Sequence, residues 1–291
     1  MKKVFILFGA LAITFAGCKK SSDEASPVTP SVPATFTKKV LVEEFTGAWC
    51  GYCPDGAVIV EQLETANPGV VYGVAIHQGD GMEIPLYNVL DGLFTNTGFP
   101  AGMVNRVPSG GKTCLSRGTW ATVANAEKAK EAMCGLAIKT SYNAAGDSII
   151  VEAQAGFKMA LTGNYKMVSY LVEDSVSGTG SQYNQSNYYS SAGSAAGGSS
   201  HPYYNLPANI VGYKHMHVVR KTIPSDLGEA VDAVSLVAGG SFVKTNKVAV
   251  GTMKKANLSI ISFVYKVGTS AATYEIMNVQ KVKVGSLKNW D

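Results

Sequence analysis

Two hydrophobic periods divide the chain. Between residues 40 and 134, short apolar runs alternate with stretches of helical spacing; from Gly135 onward the period drops to two. Val40-Leu41-Val42 reads as a buried strand. Val58, Val60, Leu63 and Ala66 then recur at helical spacing, and Pro68-Gly69 closes that run. Pro54 lacks an N–H and is tolerated only in a helix's first turn, so this helix must begin at Cys50-Gly51-Tyr52-Cys53. Residues 70–76 predict a second strand, 84–94 a helix, 102–107 a strand paired with 112–115 through Gly110-Gly111, and 120–133 a further helix. Beyond residue 135, Ile149, Val151, Ala153 and Ala155 alternate with Ile150, Glu152, Gln154 and Gly156. Val168, Tyr170 and Val172, and later Val282 and Val284, follow the same rule. Such alternation marks strands with one wet face. About seven or eight of these segments predict an antiparallel β-sandwich over 135–291. The expected fold class is therefore α/β plus all-β, an α/β domain over 37–134 followed by the sandwich.

The first 36 residues follow neither period. Met1-Lys2-Lys3 is a positive start, and the apolar run from Val4 to Ala16 is shorter than the roughly 20 residues that span a bilayer. Residues 1–17 therefore read as a signal peptide. Thr14-Phe15-Ala16-Gly17-Cys18 resembles a bacterial lipobox, with Thr14 or Phe15 where the usual pattern has Leu. The resemblance implies cleavage before Cys18 and a lipid on that cysteine, anchoring the protein to a membrane; a plain secretory signal with an incidental Cys18 is the alternative. Residues 18–36, with Pro27, Pro30 and Pro33, read as a disordered tether. The 25 basic residues include Lys2 and Lys3, so 23 remain against 21 acidic ones. A balance of +2 makes no case for nucleic acid as a partner.

Export changes what the five cysteines mean. With Cys18 lipidated, Cys50, Cys53, Cys114 and Cys134 remain in an oxidising space where disulfides persist. A helix N-terminus offers unpaired N–H donors and partial positive charge, which stabilise a thiolate. Cys50 is expected to be the exposed attacker and Cys53 the buried resolving thiol. The block WCGYCP resembles the active site of the thioredoxin superfamily, and its Gly-Tyr pair is similar to that of periplasmic disulfide isomerases. The resemblance implies a thioredoxin-like domain over 37–134. It also implies that Glu44, six positions before Cys50, is a buried acid relaying a proton to Cys53, and that Pro100, in TGFPAGMV, is a cis proline beside the pair. Trp49, Tyr52 and Phe99 serve either substrate contact or packing. No cofactor is expected. No metal is expected either: a structural zinc site takes four ligands and no second CxxC is present. An inert disulfide and a metal-transfer site are the bland readings of the motif. Glu44 has its own alternative, a solvated strand end beside Glu43. His77 reads as a loop histidine without a catalytic part, proton transfer being the other possibility. Helix 119–133, rising about 1.5 Å per residue, would separate Cys114 from Cys134 by roughly 20 Å, so these two read as separate, buried and inert.

More narrowly, the lipobox, EEFTGAWCGYCP, FPAGMVNR and the C-terminal β segments resemble a family of Bacteroidetes lipoproteins known as outer membrane proteins of about twenty-eight kilodaltons. That resemblance implies the cell envelope, with the outer membrane as address. Residues 177–205 interrupt the strands with a long stretch rich in Ser, Gly, Asn and Tyr. It is either disordered or a binding loop in which Tyr183, Tyr188, Tyr189, Tyr203 and Tyr204 meet a protein or glycan. His215 and His217, two apart, read as an exposed sheet face rather than a metal site. The predicted function is an extracytoplasmic, membrane-anchored thiol–disulfide oxidoreductase acting on protein disulfides with a separate redox partner. The alternative is a surface or periplasmic binding lipoprotein whose CxxC is a staple.

Overall fold

Seven consecutive buried residues, Val40–Thr46, form strand β1 at the centre of the molecule. Their alternation sends Val40 and Val42 to one face and Leu41 and Phe45 to the other, and both faces are covered. In this computed structural model residues 1, 31–195 and 197–290 are described; most of the expected signal peptide 1–17, the expected lipidation at Cys18 and most of the tether lie outside the described residues.

After β1 come helix α1 (Cys53–Ala66), β2 (Val71–His77), α2 (Leu86–Phe94), β3 (Ala101–Val104), β4 (Leu115–Ser116) and α3 (Trp120–Lys128). The chain then runs through β5 (Cys134–Tyr142), β6 (Ser148–Phe157), β7 (Tyr165–Glu173), β8 (Gln185–Ser186), β9 (Asn209–Ile210), β10 (Val218–Ile223), β11 (Glu229–Ala230), β12 (Ser241–Ala249), β13 (Leu258–Lys266), β14 (Ile276–Lys283) and β15 (Leu287–Lys288). α1 and α3 cover one face of β1, through Val60, Leu63, Trp120 and Val123; α2 covers the other, through Leu86, Leu90 and Phe94.

The expectation of a thioredoxin-like domain followed by a separate β-sandwich is overturned by the sheet itself. One mixed sheet runs β14-β13-β7-β10-β2-β1-β3-β4, with β11 beside β7. β2 pairs with β1 on one edge, and its other edge takes β10 in parallel, Val218 beside Ala75, with the Ala75 N–H donating to His217 O at 2.8 Å. A buried strand edge presents a row of unpaired N–H and C=O groups that must find partners. Here strands from the second half of the chain supply them, and residues 32–291 form one unit. The four-stranded sheet β12-β6-β5-β15 shares its core with the long sheet: Ala155 and Phe157 cluster with Met167 and Val264, and Ile149 and Val151 with Leu171 and Ile260.

Two boundaries also move. The tether was expected to reach residue 36, yet Phe36 packs against Trp290 with ring centroids 5.9 Å apart and lies on Gly135, where a Cβ would approach the ring to 2.1 Å. The third helix stops at Lys128 rather than 133, and Cys134 opens β5 instead. Cys114 and Cys134 are both free.

Candidate active site

The chain leaves β1 through a turn, Cys50 N–H to Gly47 O at 3.0 Å, and enters α1 at Cys53. Pro54 occupies the first turn of that helix, where its missing N–H costs nothing. Cys50 and Cys53 are joined as a disulfide with Cα atoms 5.4 Å apart. Cys53 is 2% exposed and Cys50 only 4%, so the expected accessible attacker is covered. The cover is the segment around β8: Ser186 N–H donates to Ala48 O (2.7 Å), Tyr188 N–H to Gly51 O (2.9 Å) and Gln185 Nε2 to Cys50 O (2.9 Å).

Glu44 is the third member of the site. It shares its face of β1 with Val40 and Val42, toward α1. Its carboxyl reaches α1 at Gly56, where a Cβ would lie 2.3 Å from Oε1 and 3.0 Å from Pro100 Cβ; only glycine leaves room for both. Oε1 is buried with no hydrogen-bond partner. Loss of solvation raises this carboxyl to about 8; the Arg117 guanidinium draws it down, and Asp55 pushes it up. Glu44 therefore holds a proton at neutral pH.

The remaining expected site residues converge on the same place. Phe99-Pro100 is a cis peptide. Phe99 meets Trp49 edge-on with centroids 5.1 Å apart and stacks on Tyr87. Trp49 is 47% exposed, its indole N–H donating to Gln78 O at 2.7 Å, while the half-exposed Tyr52 meets Tyr188 edge-on. Burial pushes the Cys114 thiol up to about 11 and that of Cys134 to about 12, so neither is a nucleophile at neutral pH.

Sequence reasoning missed the cavity behind Cys53. It measures about 260 Å³, and Glu44, Cys53, His77, Tyr213, His215 and His217 are among its walls. His77 is not a loop residue: it ends β2, is buried, and its Nδ1 lies 2.7 Å from Asp80 Oδ2. Burial pulls the Asp80 carboxylate up, but the His77 hydrogen bond and charge, followed by the N–H groups of Ala48 and Met82, hold it below the ordinary range. His215 and His217 do not form an exposed sheet face. His215 is buried, its Nε2 meets Tyr183 O at 2.9 Å, and burial followed by the His77 charge lowers it to about 4. His217 sits between Glu64 and Asp174. Among the described residues no cluster of three or more His, Cys, Asp or Glu side chains could hold a metal. The spacing of His215 and His217 was legible; that they face inward was not, because they precede β10 in a bridge and a turn.

A family model described as outer membrane protein Omp28 matches residues 88–288, more than half of the chain, starting beyond the CxxC. Among solved structures, HBP35 of Porphyromonas gingivalis is similar at a TM-score of 0.67 and 20% identity, over 86% of this chain and 76% of that one. A crystal structure of an Agrobacterium tumefaciens protein matches at a TM-score of 0.48 and 13% identity, over 88% of this chain and 98% of that one. No curated protein matches. Among the described residues no helix is long and apolar enough to cross a membrane.

Proposed function

Because the chain belongs to the outer membrane protein Omp28 family, with an outer membrane or envelope location, we propose that it exchanges thiols and disulfides there through Cys50 and Cys53. Lipidation at Cys18 would hold it at the membrane. One observation carries the reading: a buried carboxyl, at about 8 and with Oε1 unpartnered, lines the same cavity as the second cysteine of a disulfide that sits at a helix start. An inert staple needs no such acid, and burying one without a partner costs about 1–3 kcal/mol.

From the Cys50–Cys53 disulfide, a substrate thiolate, its proton lost to solvent, attacks Cys50 Sγ; Cys53 leaves as a thiolate and takes the proton that the Glu44 carboxyl holds. The substrate's second thiol, deprotonated to solvent, attacks the substrate sulfur of the mixed disulfide, and Cys50 departs as a thiolate stabilised at the N-terminus of α1. Two electrons pass from the substrate dithiol to the cysteine pair. The same steps reversed, with Cys53 returning its proton to Glu44, reduce a substrate disulfide. Phe99 on Trp49 and Pro100 over Gly56 of α1 would form one wall of the exchange site.

The burial of Cys50 favours the second reading, a binding or structural envelope protein with a closed disulfide. Turnover separates the two. In an insulin-reduction assay with excess dithiol, the full chain is expected to accelerate precipitation and Cys50→Ser to abolish the acceleration. Equal rates with and without the protein contradict the redox reading.

A further inference from the structure

The exchange chemistry above does not use the segment that covers it, yet that segment is seated as a bound strand is. Ser186 and Tyr188, two residues apart, turn their N–H groups to the motif's rim, to Ala48 O and Gly51 O; Asn187, between them, turns its own N–H the other way, to Ala208 O at 2.8 Å. This alternation is that of an extended chain, here fastened to the turn between β1 and α1. Gln185 Nε2 takes the Cys50 carbonyl between them. The Tyr188 ring fills the space over Gly51, where a Cβ would approach it to 2.3 Å, and meets Tyr52 at 5.1 Å. Next to it, Tyr189 hydroxyl accepts from Arg117 at 2.8 Å, Arg117 pairs with Asp55, and the Tyr189 ring stacks on His201 with centroids 3.9 Å apart.

Resting on the redox reading, we propose that residues 185–188 are a self-bound segment that keeps the Cys50–Cys53 site closed, and that an extended polypeptide competing for Ala48 O and Gly51 O displaces it. The rim offers what an extended chain needs: two backbone acceptors, Ala48 O and Gly51 O, that take N–H groups two residues apart, with the exposed rings of Trp49 and Tyr52 as flanks. A small thiol needs neither. The outer fastening runs through the Tyr189 hydroxyl to Arg117, whose pair with Asp55 is partly exposed and holds loosely. Gln185 and Tyr188 are thus gating residues, and the chemistry stays with Cys50, Cys53 and Glu44.

The test uses the full-length reduced protein and follows iodoacetamide modification of Cys50 by peptide mass spectrometry. Gln185→Ala/Tyr188→Ala is expected to react about tenfold faster than the parent, the scale of losing a hydrogen bond and a packed ring. A synthetic peptide covering residues 184–189, added to that variant, is expected to restore slow modification. Equal rates in parent and variant, or a peptide without effect, overturn the proposal. Hydrogen exchange of the unaltered oxidised protein gives an independent reading. The Ser186 and Tyr188 amides are expected to be protected and to exchange faster when saturated with carboxymethylated, unfolded ribonuclease; unchanged exchange contradicts the displacement. Neither measurement needs turnover. A strand that opens and competes in a protein inert toward insulin would therefore sink the redox reading alone.

Discussion

Glu43 and Glu44 are neighbours on β1 and both are buried, but the strand delivers them to opposite surroundings. Glu43 accepts two bonds of 2.7 Å from Arg106, and the Tyr170 hydroxyl adds a third at 3.1 Å. The guanidinium is itself walled by the rings of Phe94, Phe263 and Tyr265, 5.1 to 5.6 Å away. Glu44 faces α1, with Oε1 unpartnered and a cavity beside it. A carboxylate forked by a buried arginine ties strands together. A carboxyl left alone under a disulfide keeps its proton and can hand it over. Fold and chemistry are thus divided between two faces of one strand.

Removing Arg106 should test the structural face hardest. Arg106→Ala strands a buried charge at Glu43, and urea denaturation at neutral pH should show a loss of about 3–5 kcal/mol. Glu44→Gln in the same assay should instead gain stability, since the unfolded chain no longer profits from ionising that carboxyl at neutral pH. Gly56→Ala comes next: its methyl meets Glu44 Oε1 and Pro100 together, and a loss of about 1–3 kcal/mol is expected.

The pH dependence of stability should isolate the Glu44 side of the comparison further. Glu44 binds its proton more tightly in the folded protein, so its contribution is full below about 4.5 and is lost as pH rises through about 8. His215 runs the other way: lowered from 6.5 to about 4, it adds stability as pH rises between those values. Between about 6.5 and 8, therefore, Glu44 acts against little opposition from His215. Denaturation free energy should fall there by roughly 2 kcal/mol in the parent, at about 1.4 per unit, and stay flat in Glu44→Gln. The smallest effect belongs to Arg117→Ala. It should change stability by less than about 1 kcal/mol, because its pair with Asp55 is partly exposed. It should still move the Glu44 midpoint upward, since Arg117 is the charge that draws that carboxyl down.

How much of this was legible depends on distance along the chain. Glu44, Cys50, Cys53 and Pro100 fall at offsets that a local motif reveals, and their convergence at Gly56 and α1 needs only β1, α1 and β3 to meet. The two-residue alternation of Ile149, Val151, Ala153 and Ala155 marked β6. The single sheet was not legible, because VYGVAIH says that β2 is buried without saying what pairs with its far edge, and Val218 lies far along the chain. Arg106 was hidden in a different way. Asn105 and Arg106 both take positive φ, which turns a residue expected inside a strand back under it toward Glu43. Residues 177–205 carry the Ser, Gly, Asn and Tyr common to disordered loops and binding loops alike. Composition does not reveal that Tyr188 sits on Gly51 of the same chain.

The central claim is that one buried glutamate keeps a proton beneath the disulfide at neutral pH. Carbon-13 NMR of the glutamate side-chain carboxyls reads this directly, with Glu44→Gln assigning the resonance. The account predicts one carboxyl in the oxidised protein with a midpoint near 8, absent from the variant. A Glu44 resonance titrating near the ordinary 4.5 would contradict it.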